Sequence, residues 1–241
     1  MEKSSDWKHP IQMQSGALYT KLGASVQAED RRNQDDYIRS GGIFVESEIR
    51  FWENLSFLVE TGYRRRERTD TGRIQGMDRV GLGIKSAWEW ESAYFGMGIL
   101  GYSRDTSSPK TEENNPQLYL LRPFVSAGYR FQEFQIQGQL SFQSETNSRF
   151  RESFSEEFRR YYQVNLTASH DLGLGFDAFL EWEARLPYDR EIDRESRNLA
   201  VFPGLAWTAN SAGRFAISAG FPLWKDRIFD RSLQLQYLYL W

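Results

Sequence analysis

Residues 232–241 read SLQLQYLYLW, and Leu233, Leu235, Tyr237, Tyr239 and Trp241 fall on every second position. A strand has a side-chain period of two, so these five side chains share one face. An apolar face of that kind on an uncovered terminal strand invites aggregation in water. Either another layer buries it or its solvent is lipid.

The same alternation recurs through the chain. It predicts twelve strands, at 15–28, 37–52, 55–68, 77–90, 93–105, 118–131, 134–146, 159–171, 175–188, 197–209, 213–225 and 232–241. Most exceed ten residues, longer than the five or six usual in a soluble sheet and long enough to cross a bilayer at a tilt. The expected connections alternate in length. Long ones fall at 29–36, 69–76, 106–117, 147–158, 189–196 and 226–231. Short ones fall at Glu53-Asn54, Glu91-Ser92, Gln132-Glu133, around Gly173-Leu174 and at Asn210 to Ala212. Short turns at one end and long loops at the other are the pattern of an outer-membrane barrel.

One parity is apolar in every strand. Leu55, Phe57, Val59 and Tyr63 carry it, as do Val80, Leu82, Ile84, Trp88 and Trp90, and Phe215, Ile217, Ala219, Phe221 and Leu223. Between the rims this parity holds no charge, as a lipid-facing side requires, because Arg or Lys at the midplane costs about 2–4 kcal/mol. Aromatic residues make up 15% of the chain and collect toward the strand ends. An expected girdle near the short turns includes Trp88, Trp90, Tyr129, Phe131, Trp207, Tyr239 and Trp241, with Tyr94 beside them; Tyr102 and Tyr161 belong to a second belt near the long loops.

Mean hydropathy is -0.63, and no run of 18 apolar residues predicts a transmembrane helix. Neither value opposes a barrel, whose polar interior cancels its apolar exterior. Cysteine is absent, which excludes a disulfide framework and thiolate metal sites. The net charge of -3 suggests no polyanion partner, and no nucleic-acid, nucleotide, metal or cofactor motif is present.

The ending resembles the C-terminal assembly signal of Gram-negative outer-membrane proteins, with Tyr237, Tyr239 and a terminal aromatic, Trp241. Terminal Phe is commoner there, and the glycine usual a few residues earlier is replaced by Gln234 or Gln236. The resemblance implies an integral outer-membrane protein assembled through its last strand, among outer-membrane lipid and lipopolysaccharide; the short turns at one end place both termini in the periplasm, and MEKSSDWKHP, which lacks an apolar core, implies a signal peptide already removed. The fold expected is a 12-stranded antiparallel up-and-down transmembrane β-barrel over residues 15–241, preceded by a polar periplasmic tail over residues 1–14. The strand number is similar to that of oligosaccharide- and nucleoside-specific porins, an outer-membrane phospholipase, a lipopolysaccharide deacylase and autotransporter translocators.

The opposite parity is expected to line the lumen. It places Glu46, Glu48, Arg50, Glu60, Arg64, Arg66, Arg79, Lys85, Glu89, Arg104, Arg122, Arg130, Asp177, Glu181, Glu183 and Arg185 inside. Strands 3 to 6 make a basic arc, Gln135, Gln137 and Gln139 a glutamine ladder, and strand 9 an acidic wall. Gly81, Gly83, Gly96 and Gly98 also take this parity, giving a bare wall with room for a solute, a folded-in loop or the tail. Pro123, Pro203 and Pro222 fall within strands, so bulges or frayed pairing are expected there. The leading functional reading is a narrow channel for small polar or charged solutes. The alternatives are a plugged barrel serving as scaffold, adhesin or part of an envelope complex, and an outer-membrane hydrolase. Of the two histidines, His9 lies in the tail. His170 sits between Ser169 and Asp171, where adjacent strand residues point to opposite faces, so catalysis is not expected.

Overall fold

The computed structural model describes residues 7–12, 15–33, 36–68, 72–104, 118–146, 160–188, 197–209, 213–224 and 229–241. Twelve strands form one closed antiparallel barrel. They are β1 (Lys21–Asn33), β2 (Asp36–Trp52), β3 (Leu55–Arg68), β4 (Gly72–Glu89), β5 (Ala93–Arg104), β6 (Leu118–Phe131), β7 (Phe134–Glu145), β8 (Tyr161–Gly173), β9 (Phe176–Pro187), β10 (Asn198–Thr208), β11 (Gly213–Pro222) and β12 (Arg231–Leu240). Each strand pairs with its neighbours in sequence. β12 closes the ring on β1, with Ala24 opposite Tyr237 and Val26 opposite Leu235. The terminal zipper therefore has no free edge, as a membrane-spanning sheet requires.

The expected parity is the one observed. Leu82, Ile84, Ile136, Leu140, Leu205, Ile217, Leu233 and Leu235 project outward and are about half exposed. A belt of such side chains around a whole molecule far exceeds the apolar patches that soluble proteins leave in water. The rings of Trp88, Trp90, Tyr129, Phe131, Trp207, Tyr239 and Trp241 all face outward near the short-turn end. Trp207 stacks between Phe176 and Phe215 with centroids 6.2 and 6.1 Å away. Three other rings correct the expected belts: Tyr94, Tyr102 and Tyr161 are buried inside the barrel. Height along a strand places an aromatic near an interface, but parity decides which side it faces.

Two expected loops are largely strand. The β1–β2 ladder continues to Asn33 opposite Asp36, and the β3–β4 ladder to Arg68 opposite Gly72. There the barrel wall continues without an apolar parity. Beyond the hydrocarbon no face needs to be apolar, so the sequence signal fades while the backbone pairing does not. The first strand starts at Lys21 rather than at residue 15.

The prolines interrupt the ladder on one side only. β6 keeps Pro123 opposite Ile99, while its ladder to β7 skips Arg122 and Pro123 without a change of register. β10 keeps Pro203 opposite Leu180 and skips Phe202 and Pro203 toward β11. A missing N–H leaves a gap on the side where it would have donated. Pro222 is the last residue of β11. Registered bulges lie elsewhere, at Arg50/Trp52, Gly62/Tyr63 and Asp171/Gly173. At the last of these the tight β8–β9 turn gives positive φ to Gly173, Leu174 and Gly175. Glycine takes that conformation freely, and Leu174 is 95% exposed at the tip.

Candidate functional site

The lumen is filled by three components, and the sequence anticipated the first of them. Polar residues alternate inward as expected: Glu48, Glu60, Lys85, Gln135, Gln137, Gln139, Asp177, Glu181 and Glu183 are all buried. Large apolar side chains share the same parity. Leu58, Leu100, Tyr102, Leu120 and Phe124 pack as one cluster across β3, β5 and β6. Phe179, Ala206 and Ala216 form another, joined by Ile11.

The glycines explain how rings fit inside a twelve-stranded barrel. A Cβ on Gly81 would stand 2.7 Å from the Tyr102 ring, one on Gly98 2.6 Å from Phe124, and one on Gly220 2.5 Å from Phe202. Each ring lies flat against a neighbouring strand where that strand has no side chain, which resembles the aromatic covering of glycines used to pin sheets. The wall expected to be bare at Gly81, Gly83 and Gly98 is thus covered by Tyr102, Leu100 and Phe124. At Gly96 it is covered by the chain itself, since a Cβ there would stand 2.5 Å from the Gly16 carbonyl oxygen.

That contact belongs to the third component. Residues 7–12 and 15–20, expected to be polar tail and the start of a strand, enter the lumen from the short-turn end. Trp7, His9, Pro10 and residues 15–20 are buried. Trp7 packs edge-on against Tyr94 at 4.7 Å, with the Arg130 guanidinium 4.9 Å from its indole. Most of the anchoring is polar, and much of it uses backbone. Successive amides of Ile11 and Gln12 donate to the two oxygens of Glu181 at 2.7 and 3.0 Å. The Tyr19 amide donates to Glu48 at 2.8 Å, and the Leu18 amide to Glu89 at 2.8 Å. Gln137 donates to the Lys8 carbonyl at 2.6 Å, and Arg214 to the His9 carbonyl at 2.8 Å.

Lys85 is the centre of this site. Its ammonium donates to the Ser15 carbonyl at 2.9 Å, the Ala17 carbonyl at 2.6 Å and Glu48 Oε2 at 2.9 Å. Both charges of the pair have 0% side-chain exposure. Buried charges of this kind require mutual pairing and further hydrogen bonds, and the inserted segment supplies those bonds. Lys21 pairs with Glu46 at 3.1 Å and meets the His9 imidazole. Burial pushes the His9 imidazole well below its usual value, and the neighbouring Lys21 charge pushes in the same direction.

The expected charge arcs are therefore largely used locally. On the acidic wall, Asp177 meets Lys8 at 2.8 Å. Glu183 binds Arg185 at 3.0 Å and accepts from Asn198 at 3.0 Å. In the basic arc, Arg50 donates to the Glu53 carbonyl at the rim and Arg130 covers Trp7. Arg64 and Arg122 stand on the lumen side toward the long loops, partly exposed. The side chains of Arg66, Arg79 and Arg104 lie outside the described residues. Among the described residues, no group of three His, Asp or Glu side chains is arranged to hold a metal ion. Ser169 is buried on the lumen side, whereas the His170 ring stacks on Phe134 at 4.2 Å. The adjacent Ser169, His170 and Asp171 do not converge.

A closed twelve-stranded antiparallel barrel with an apolar exterior and a largely polar inward parity is the fold of outer-membrane β-barrel proteins. No family model matches the chain, and no curated protein matches it. Among solved structures it is similar to an outer-membrane channel from Pseudomonas putida F1, with TM-score 0.65 and 8% identity over 98% of this chain and 100% of the other. The KdgM porin superposes with TM-score 0.58 and 8% identity, over 92% of this chain and 99% of the porin. The translocator domain of the autotransporter NalP from Neisseria meningitidis gives TM-score 0.57 and 11% identity, over 93% and 89%.

Proposed function

We propose that the protein is an integral outer-membrane channel for small polar or charged solutes, stoppered by its own N-terminal segment. In this reading the short turns and both termini face the periplasm, and lipid and lipopolysaccharide surround the apolar belt. The assembly machinery engages β12. The chain performs no chemistry on its solute. Structural likeness to a Pseudomonas putida channel and to the KdgM porin supports the reading.

One observation carries it. The segment is held mainly through its backbone amides and carbonyls, by wall groups that water can satisfy equally well once it leaves. The segment also buries apolar surface, with Trp7, Ala17 and Tyr19 packed on Tyr94, but its ties to the charged wall are hydrogen bonds that water can replace. Departure of residues 7–12 and 15–20 would leave a hydrated passage lined by Glu48, Lys85, Gln137 and Glu181. The apolar cluster around Leu100 and Phe124 favours a second reading, a filled barrel with a structural role, because it narrows the lumen independently of the stopper.

Crosslinking separates the two. The chain has no cysteine, so a Gly16→Cys, Ser126→Cys pair would be unique. A Cβ on Gly16 would lie 2.8 Å from Ser126 Cβ, so a shift of about 1 Å reaches disulfide geometry. In planar bilayers the reduced protein should show intermittent current and the oxidised protein none. Silence of the reduced and wild-type proteins would favour the filled barrel, and equal current in both redox states would exclude the segment as stopper.

A further inference from the structure

Three arginines on the long-loop side of the stopper share a placement that the sequence does not display. Arg64 on β3, Arg122 on β6 and Arg185 on β9 each lie nine residues from the short-turn end of their strand, at Leu55, Phe131 and Phe176. Those strands stand three apart in the ring of twelve. Three guanidinium groups therefore enter the lumen at about one level, Arg122 from β6 and the other two from walls a quarter of the circumference to either side of it.

All three are seated in the same way. Arg64 lies over the Phe44 ring at 5.5 Å, Arg122 over Tyr102 at 5.3 Å and Arg185 over Tyr161 at 5.5 Å. Each ring comes from the preceding strand and is diagonal to its arginine. Phe44 is opposite Gly62, Tyr102 opposite Leu120 and Tyr161 opposite Pro187, in each case two residues from the arginine. The rings are buried and the arginines partly exposed. Stacking uses the face of a guanidinium and leaves its in-plane N–H donors for other partners. Arg185 spends donors on Glu183, at 3.0 and 3.1 Å. Arg122 makes no ion pair among the described residues; its contact is the Tyr102 ring.

We propose that this level is an oxyanion-binding constriction for small organic carboxylates. Arg122 is the contacting residue, with Arg64 and Arg185 beside it at the same level and Arg185 held by Glu183. A planar, weakly hydrated fork fixed against an aromatic ring matches a carboxylate in shape and charge. Within low-dielectric walls, a guanidinium with no ion pair among the described residues, as at Arg122, focuses a field that attracts anions. The inference deepens the channel reading by naming its solute class, and binding is measurable without transport.

The test is calorimetric titration of the full-length wild-type protein in detergent with succinate, and separately with uncharged succinamide. Succinate should bind saturably, more weakly as salt rises, and succinamide should not bind. Arg122→Gln should weaken succinate binding at least tenfold, and Arg122→Lys less. Arg64→Gln, which removes a charge at the same level, should weaken binding less and provides a second reading if the Arg122 variants lose their β-sheet circular dichroism. Absence of succinate binding by wild type, equal binding of succinamide, or binding unchanged in both glutamine variants would overturn the site. Intact binding with silent bilayers would instead refute the channel reading and leave the site standing.

Discussion

Replacing Lys85 with methionine should release the N-terminal segment while leaving the barrel closed. The substitution removes an ammonium that bonds Glu48 and the Ser15 and Ala17 carbonyls within 2.9 Å. It strands a carboxylate with 0% side-chain exposure. Breaking a buried pair by removing one partner costs about 3–5 kcal/mol. The lower figure applies here, because water entering the vacated lumen relieves the orphaned Glu48. About 3 kcal/mol shifts the docking equilibrium by roughly 150-fold. Amide hydrogen exchange reads this directly at Leu18 and Tyr19, whose N–H groups are held by Glu89 and Glu48. Their exchange should accelerate by about that factor, while central amides of β5 to β9 keep their protection. Adding Glu48→Gln should recover part of the loss, since the cost then reduces to unmet neutral partners of about 1–3 kcal/mol. Unchanged exchange at Leu18 and Tyr19 in Lys85→Met would refute the argument that this buried ammonium holds the segment.

On the outer face, Ile84→Arg should lower folding stability in bilayers by about 2–4 kcal/mol, read from urea titration, whereas Gln137→Arg on the lumen side of β7 carries no such lipid penalty. Acid should loosen the stopper through His9, whose buried imidazole titrates below the 6.5 of an undocked histidine. Above that pH both states are neutral and docking is unaffected. As pH falls below it the undocked segment takes up the proton first and docking weakens. Acrylamide quenching of a chain retaining Trp7 as its one tryptophan should therefore rise from pH 7.5 to pH 5, and His9→Gln should flatten that rise. Trp241→Ala should slow assembly into bilayers, followed by β-sheet circular dichroism, by weakening the aromatic end of β12.

What the sequence made legible was the wall. Alternation at Leu233 to Trp241 and at Val80 to Trp90 reports lipid on one side, because hydrocarbon rejects charge at every second position. That constraint ends with the bilayer. The upper ends of β1, at residues 29–33, and of β4, at residues 72–76, therefore read as loops although their backbone stays paired. Inside the barrel the constraint is weaker still. Tyr94, Tyr102 and Tyr161 read as belt residues by height, yet face inward. The pairing of ring with glycine, as at Tyr102 and Gly81, depends on a register that no single strand reveals. The stopper was hidden for a different reason. Many of its anchors are amides and carbonyls, common to every residue type, so MEKSSDWKHP reads by composition as a solvated tail. Trp7 and the buried charges of Glu48, Lys85 and Glu181, which need partners, were the available hints.

The central claim sets hydrocarbon outside the wall and the protein's own N-terminal segment within it. It is tested most directly by quenching with lipids brominated along the acyl chain, in chains that keep one of the eight tryptophans. Trp182, on the outward parity of β9, should be strongly quenched, and Trp7, buried against Tyr94 inside the lumen, should not. Equal quenching of the two, or quenching of neither, would contradict the account.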